Sequence, residues 1–246
     1  MRIALFADIH ANRRALEACL EHAQSQGANR SVFLGDFVGY GPDPHEVIDR
    51  VMAETAKGAL AVAGNHDQAV AEVRETMTSD AERAMAWTRG QLDGEARDFL
   101  GSLPLRFEDG PRLYVHASPQ TYPPWIYVND AAAARRALEA SRAQMIFCGH
   151  THLMALHGIT ATGQLVSFQP VPKVPIPLPR HRRWLTVVGS VGQSRDGDPA
   201  AAYAVLDTER SDITHFRVPY DVEATASAIL QAGLPPSLAS RLLKGQ

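Results

Sequence analysis

Through its first 150 residues the chain alternates short apolar runs with longer amphipathic or alanine-rich stretches, and that alternation leaves few architectures open. The runs are Ile3 to Ala7, Ser31 to Leu34, Ala59 to Ala63, Arg112 to Val115 and Gln144 to Cys148, each of strand length. Between them lie Arg13 to Gln24, His45 to Lys57, Thr78 to Leu92 and Ala131 to Ala143, the last built almost wholly of good helix formers. Strands alternating with helices predict crossover units and a sheet whose early strands are parallel.

After His152 the texture changes. Gln164 to Phe168, Trp184 to Gly189, Ala201 to Leu206 and Ile213 to Val218 read as strands without long helices between them, which predicts an antiparallel, second-sheet meander over about 160–220. Between two of these strands, residues 170–179 (PVPKVPIPLP) carry five prolines, which forbid helix and interior sheet. They are expected to cross the surface in extended form, with a proline-rich docking motif as the alternative. The tail, Asp221 to Gln231 and Ser237 to Lys244, predicts two short helices punctuated by Gly233 and the Pro235-Pro236 pair. With no internal repeat and no long linker, residues 1–246 are read as one domain, with core motifs in 8–152 and a helical tail in 221–246.

Composition narrows the partners. A formal charge of −3, with 45% hydrophobic and 21% charged residues, is too mild for electrostatic capture of nucleic acid or an anionic membrane. Any phosphate partner has to be attracted locally. The opening MRIALFAD has one basic residue and an apolar run too short for a signal peptide, with no cleavage site, and no later run approaches a membrane span. Cys19 and Cys148 fit neither a disulfide framework nor zinc-finger spacing, which predicts a reduced, cytoplasmic protein. The basic run His181 to Arg183 is too short to argue for an acidic partner, and the sequence carries no signal for an oligomeric state.

Each early apolar run ends in residues able to bind a metal: Asp8-Ile9-His10, Gly35-Asp36, Gly64-Asn65-His66-Asp67, His116 and Gly149-His150-Thr151-His152. The carboxyl ends of neighbouring parallel strands share one edge, where ligands bind, so residues distant in sequence converge there. In an extended segment residues i and i+2 project to one side, which lets Asp8 act with His10 and His150 with His152. Glycine before Asp36, Asn65 and His150 permits a sharp turn and a close backbone approach, although glycine is also common in turns without function. Taken singly, an Asp-x-His or a His-x-His reads more readily as a cap, a core hydrogen bond or an exposed pair. Five such strand ends in one chain reverse that reading.

In this order, DxH, GD, GNHD, a separate His and GHTH resemble the signature of the calcineurin-like metallophosphoesterase superfamily. The motifs span residues 8–152, while GDFVGYGPDP and GSVGQSRDGDP resemble its small, single-domain bacterial phosphodiesterase-like branch and extend the likeness nearly to residue 207. The resemblance implies an α/β fold, a four-layer α/β/β/α sandwich of two mixed sheets, with a metal site at the C-terminal ends of the strands. It further implies that Asp8, His10 and His152 hold one metal, that Asn65, His116 and His150 hold the other, and that Asp36 bridges them. A carboxylate can span two ions, and an Asn carbonyl coordinates without adding charge. Two carboxylates against two divalent cations leave the site net positive and attractive to a phosphate ester. The imidazole-rich set favours two divalent transition-metal ions, manganese first, with iron, zinc, cobalt or nickel as alternatives, over calcium and magnesium.

The implied activity is hydrolysis of a phosphate ester by attack of a metal-bridging hydroxide, with small or nucleotide-like phosphodiesters as the first substrate class. His66 is the expected catalytic residue, protonating the leaving oxygen or stabilising phosphate charge, with Asp67 keeping its imidazole oriented and protonated. GDFVGYG has Gly39 and Tyr40 in place of the Asp-Arg pair of the GDxVDRG pattern in the phosphoprotein phosphatase branch. That departure weakens the case for a Ser/Thr protein phosphatase and leaves a phosphomonoesterase as runner-up. The alternative from another class is a non-catalytic metal-binding scaffold: a relative in the retromer complex acts through protein contacts, but it replaces the histidine of GNHD, whereas His66 and every expected ligand are present here. Tyr40, Ser118, Tyr122, Trp125 and Arg195 lie in or near the family-like loops, where pocket shaping and surface packing explain each equally well. His22, His45, His157, His181 and His215 fall outside the motifs and are read as structural or solvent-exposed.

Overall fold

Apolar strands and capped helices follow the alternation in the sequence. The structure, a computed structural model, describes residues 1–71, 78–120 and 125–246. It opens with β1 (Arg2–Phe6), α1 (Arg13–Ser25), β2 (Arg30–Phe33), α2 (Pro44–Ala56) and β3 (Leu60–Ala61). It continues through α3 (Asn65–Ala71), α4 (Ser79–Gln91), α5 (Gly94–Ser102), β4 (Arg106–Asp109), β5 (Arg112–Val115), α6 (Ala131–Glu139) and β6 (Met145–Cys148). The remainder is β7 (Met154–Thr160), β8 (Leu165–Phe168), β9 (Ile176–Pro177), β10 (Arg182–Val188), β11 (Ala201–Asp207), β12 (Asp212–Val218), α7 (Val222–Gln231) and α8 (Pro236–Lys244). Short polar side chains start the helices: Asn12, Thr78, Asp93, Asp130 and Asp221 each accept a backbone N–H of the first turn. Each such cap is worth about 1 kcal/mol.

Among the described residues two mixed sheets of six strands form, in the orders β3-β2-β1-β11-β12-β9 and β4-β5-β6-β10-β7-β8. Strand β1 runs parallel to β2 and antiparallel to β11. Alternation along β1 sends Ile3 and Leu5 into the layer between the sheets, with Val32, Phe147 and Leu206, and sends Ala4 and Phe6 outward against α1 and α2. Phe6 lies between Phe33 and Tyr203 at centroid distances of 5.4 and 5.3 Å. Helix α6 covers the outer face of the other sheet through Ala134, Ala137 and Leu138. The result is the four-layer α/β/β/α sandwich with two mixed sheets.

The late strands depart from the expectation of one second-sheet meander over 160–220. Strands β8 and β10 join β4, β5 and β6, with β10 parallel to β6, whereas β11 and β12 extend the sheet of β1. An apolar pattern specifies the face a strand buries and leaves its neighbour open. The proline-rich crossing is not wholly extended either, since it turns at Lys173 (φ 68°). Its Ile176–Pro177 pairs with β12 at a sheet edge, where a missing N–H is tolerated, and Leu178 enters the inter-sheet core. Strands β4, β7 and β9 and helices α3 and α5 were not legible in the apolar runs.

His215, on the same face of β12 as Ile213, is fully buried and donates from Nε2 to the Val187 carbonyl at 3.3 Å. Burial pushes its imidazole down to about 4, against the pull of that carbonyl and with help from the Arg217 charge. The unfolded chain takes up this proton near pH 6.5, whereas the folded chain refuses it until about 4. Stability from this group is therefore complete above pH 6.5 and is lost as pH falls towards 4. Between pH 7 and 4 the unfolding free energy of the wild type should fall by about 3 kcal/mol more than that of His215→Gln, which keeps a donor and does not titrate. Parallel pH curves for the two proteins in urea titrations would refute this.

Candidate metal centre

The strand ends reach the site through unusual backbone. Asp8 (φ 54°), His10 (φ 49°), Asp36 (φ 56°), His150 (φ 68°) and His152 (φ 61°) all lie in the left-handed region. Each position costs on the order of 1 kcal/mol, and Asp and His are among the residues that tolerate it best. Asp8 with His10, and His150 with His152, therefore meet the site through tight turns beyond the strands, and the expected i, i+2 alternation of an extended segment is not the cause. Hydrogen bonds between loops hold the turns: Asp8 N–H to Gly35 O at 3.1 Å, His10 N–H to Asp36 O at 2.9 Å, Gly149 N–H to His116 O at 2.9 Å and Gly192 N–H to Asp8 O at 2.9 Å.

All seven expected ligands come together. Asp8, His10 and His152 form one group, and Asp36, His116 and His150 a second, each with its donor atoms within 4.8 Å of one another. Asn65 joins the second group, its Oδ1 3.2 Å from His116 Nε2. Asp36 stands between the groups, with Oδ2 3.7 Å from His10 Nε2 and 3.3 Å from His116 Nε2. Asp8 accepts the His150 N–H through both carboxylate oxygens, at 3.0 and 2.9 Å.

The imidazoles test whether this set fits a cation. A backbone carbonyl can only accept, so the ring nitrogen facing one carries the hydrogen. His10 Nδ1 faces Val38 O at 3.2 Å, His116 Nδ1 faces Leu34 O at 2.7 Å, His152 Nδ1 faces Gln193 O at 2.5 Å and His150 Nε2 faces Trp125 O at 3.1 Å. The opposite nitrogens point inward, as metal-ligating histidines require. His10 Nε2 and His152 Nε2 meet at 3.0 Å. Burial, reinforced by neighbouring positive groups, holds both imidazoles well below their usual range, so two lone pairs oppose each other. A cation between them converts that repulsion into coordination.

The second group makes the same demand. His116 Nε2 faces Asn65 Oδ1, Asp36 Oδ2 and His150 Nδ1, the last at 3.1 Å. Burial opposes its proton, but the Asp36 charge and hydrogen bond outweigh burial and raise the imidazole to about 9. One proton cannot serve three acceptors, whereas a divalent ion can. Burial pushes Asp8 up to about 7, with Asp36 adding to it and His116 opposing. Burial also works against ionisation of Asp36, yet His116, His66 and His10 overcome it and hold that carboxyl well below its usual range. The donor set fits divalent metal ions.

His66 and Asp67 divide. Both start α3, but successive helical positions point about 100° apart, so their side chains diverge. Asp67 accepts the backbone N–H groups of Gly64 and Asp36 at Oδ2 and of Phe37 at Oδ1, each at 2.8 Å. Its carboxylate pins the two ligand-bearing loops together, and among the described residues it makes no hydrogen bond to the His66 ring. The His66 ring is buried against His10 (4.8 Å) and Tyr40 (4.7 Å), with Nδ1 lacking a hydrogen-bond partner among the described residues. A Cβ at Gly39 would lie 2.3 Å from that nitrogen, so the residue between Val38 and Tyr40 has to be glycine for His66 to sit there.

Several contributors carried no signal in the sequence. Tyr127 stacks on His150 at 4.0 Å with 21° between planes, and Ser190 Oγ donates to Asp8 O at 2.8 Å. The four carbonyls that fix the histidine tautomers are backbone atoms and leave no trace in side-chain identity. Beside His116 lies a cleft of about 230 Å³ lined by Gln68, Val115, Ser118 and Trp125. Tyr122 lies outside the described residues. His22, His45 and His157 bond to Tyr203, to Asp49 with Asp93, and to Ser167, away from the centre.

Comparison with known proteins agrees with this geometry. Residues 1–211 match the calcineurin-like phosphoesterase superfamily domain. An uncharacterized protein of Methanocaldococcus jannaschii is 31% identical over 255 residues, covering 99% of this chain and 98% of its own. The crystal structure of a metallophosphoesterase from Sphaerobacter thermophilus superposes with a TM-score of 0.87 at 35% identity, covering 100% of this chain and 99% of that one. A hypothetical protein of Pyrococcus horikoshii shares the fold, with a TM-score of 0.78 at 20% identity over 100% of this chain and 98% of its own. With its ligand-type residues gathered at the strand ends of a four-layer sandwich, the chain belongs to the calcineurin-like phosphoesterase superfamily.

Proposed function

We propose that the chain, acting as one domain, is a metal-dependent phosphodiesterase for small or nucleotide-like phosphodiesters. The observation that carries the reading is the approach of His10 Nε2 and His152 Nε2 to 3.0 Å beside two buried carboxylates, each ring held at its other nitrogen by a backbone carbonyl. Asp8, His10 and His152 would hold one divalent ion, Asn65, His116 and His150 a second, with Asp36 shared and manganese the first candidate. When bound, such ions supply Lewis acidity to a phosphoryl oxygen and make water acidic enough to act as a nucleophile near neutral pH.

The remaining work falls to the chain. His66 would hold the proton for the leaving oxygen. Burial, with the His116 and Arg195 charges, lowers its proton affinity, and an incoming phosphate anion raises it again. The cleft beside His116 would receive the organic part of the ester. Tyr40, in place of the arginine of the protein phosphatase pattern, is the reason to rank small diesters above phosphoproteins. Both cysteines are buried and free, in keeping with a reducing cytoplasm, and among the described residues no helix is long and apolar enough to cross a membrane.

The test compares bis-p-nitrophenyl phosphate with p-nitrophenyl phosphate as substrates of metal-stripped protein given manganese back. Faster turnover of the diester is expected, and His66→Gln should keep its metal while losing about 10²- to 10⁴-fold in kcat. Preference for the monoester would overturn the diesterase assignment. Inactivity towards both with manganese, iron, cobalt, nickel and zinc would overturn catalysis itself.

A further inference from the structure

Arg195 enters from the loop that joins β10 to β11, and that loop is tied to the metal centre at two points. Gly192 N–H donates to Asp8 O at 2.9 Å, and Gln193 O accepts from His152 Nδ1 at 2.5 Å. Two residues later the Arg195 guanidinium donates from Nη2 to Gln193 Oε1 at 3.3 Å. The carboxylates nearest in sequence are already engaged: Asp196 and Asp198 both pair with Arg217. Among the described residues Arg195 has no carboxylate within 4.0 Å, and it is only partly buried.

Gln193, to which Arg195 donates, lines one small cavity with His10, Tyr40 and Gly192. Burial raises the Tyr40 phenol, opposed first by the Arg195 charge. Tyr40 in turn rests on His10, at 4.5 Å between centroids, and on His66. The guanidinium, joined to Gln193, therefore stands at the side of the site that Gln193 shares with His10 and Tyr40. Tyr40 is the position where the protein phosphatase pattern carries its arginine, so a cation from the second half of the chain reaches the place that lacks one in the first.

We infer that Arg195 is the substrate-binding cation of this centre, its planar fork pairing with the two non-bridging oxygens of the phosphoryl group, while Gln193 positions it. A guanidinium offers two parallel N–H donors matched to such oxygens, and an arginine without a carboxylate partner gives up no ion pair to make that contact. The inference rests on the phosphoesterase reading above, and its test is separable from that reading.

The test measures binding of inorganic phosphate to manganese-loaded wild type, Arg195→Ala and Arg195→Lys by calorimetry, together with metal content and the KM and kcat for bis-p-nitrophenyl phosphate. Arg195→Ala should bind phosphate about 10- to 100-fold more weakly at unchanged metal content, the scale of a hydrogen bond to a charged group. Arg195→Lys should recover part of the loss, and guanidinium chloride at millimolar concentration should partly restore Arg195→Ala, which a purely structural role would not produce. Equal phosphate affinity in wild type and Arg195→Ala, or no phosphate binding by wild type, would overturn the inference. Arg195-dependent phosphate binding in a protein that hydrolyses nothing would support it while overturning the catalytic reading.

Discussion

Asp36→Asn is expected to abolish measurable turnover, by roughly 10⁴- to 10⁶-fold, the scale on which single members of a catalytic unit act. Asp36 reaches both histidine groups, and its Oδ1 also accepts the His66 N–H at 2.9 Å. An amide in its place offers one oxygen instead of two and presents N–H donors to nitrogens that need a cation, so metal occupancy should fall with activity. Elemental analysis after dialysis, alongside turnover of bis-p-nitrophenyl phosphate, checks both effects. Full activity at full metal content in Asp36→Asn would remove Asp36 from the centre.

Gly192→Ala should have the largest structural effect of any single added methyl. A Cβ there would lie 1.8 Å from Ile9 O and 3.1 Å from Asp8 O, both backbone atoms that no rotamer change can clear. The loop has to move away from Asp8, carrying Gln193 and its grip on His152 with it. Overpacking of this kind costs about 3 kcal/mol, which for a chain of this size lowers Tm by roughly 6–12 °C. Gly90→Ala is the contrast: in α4, where a Cβ meets nothing within 4 Å, the added methyl should raise stability by up to about 1 kcal/mol. A Gly192→Ala protein melting within 2 °C of wild type, a margin of about 1 kcal/mol or less, would show that the loop is free to shift.

How much of this was written in the sequence depends on which atoms do the work. Side chains at strand ends were legible because an apolar run followed by Asp, His or Asn is a local pattern, and Asp8, His10, Asp36, Asn65, His116, His150 and His152 do meet. The means of meeting was not legible. Left-handed backbone at five of those positions depends on contacts between loops, such as the His10 N–H on Asp36 O. The backbone partners of Asp67 are not legible either, because adjacency to His66 in sequence is not adjacency on a helix. Strand β7 was missed because MALHGIT mixes poor strand formers with a glycine, and that glycine is needed to accommodate the Trp184 ring, which would lie 2.6 Å from a Cβ at Gly158. The allocation of late strands to sheets escaped because it rests on pairings such as Arg2 with Asp207, which no local pattern encodes.

That last pairing bears on how the protein is made. Ser190 holds the Asp8 carbonyl, Gln193 fixes the His152 tautomer, and β11 supplies the antiparallel neighbour of β1. A polypeptide still emerging from the ribosome carries all seven ligand-type residues by residue 152, yet lacks Ser190 and Gln193 for about forty residues more and a complete β11, through Asp207, for 55. Long-range pairings of this kind form late. The centre therefore closes only after β11 has been made, and binding of ions belongs to that stage rather than to the emergence of the last ligand-type residue.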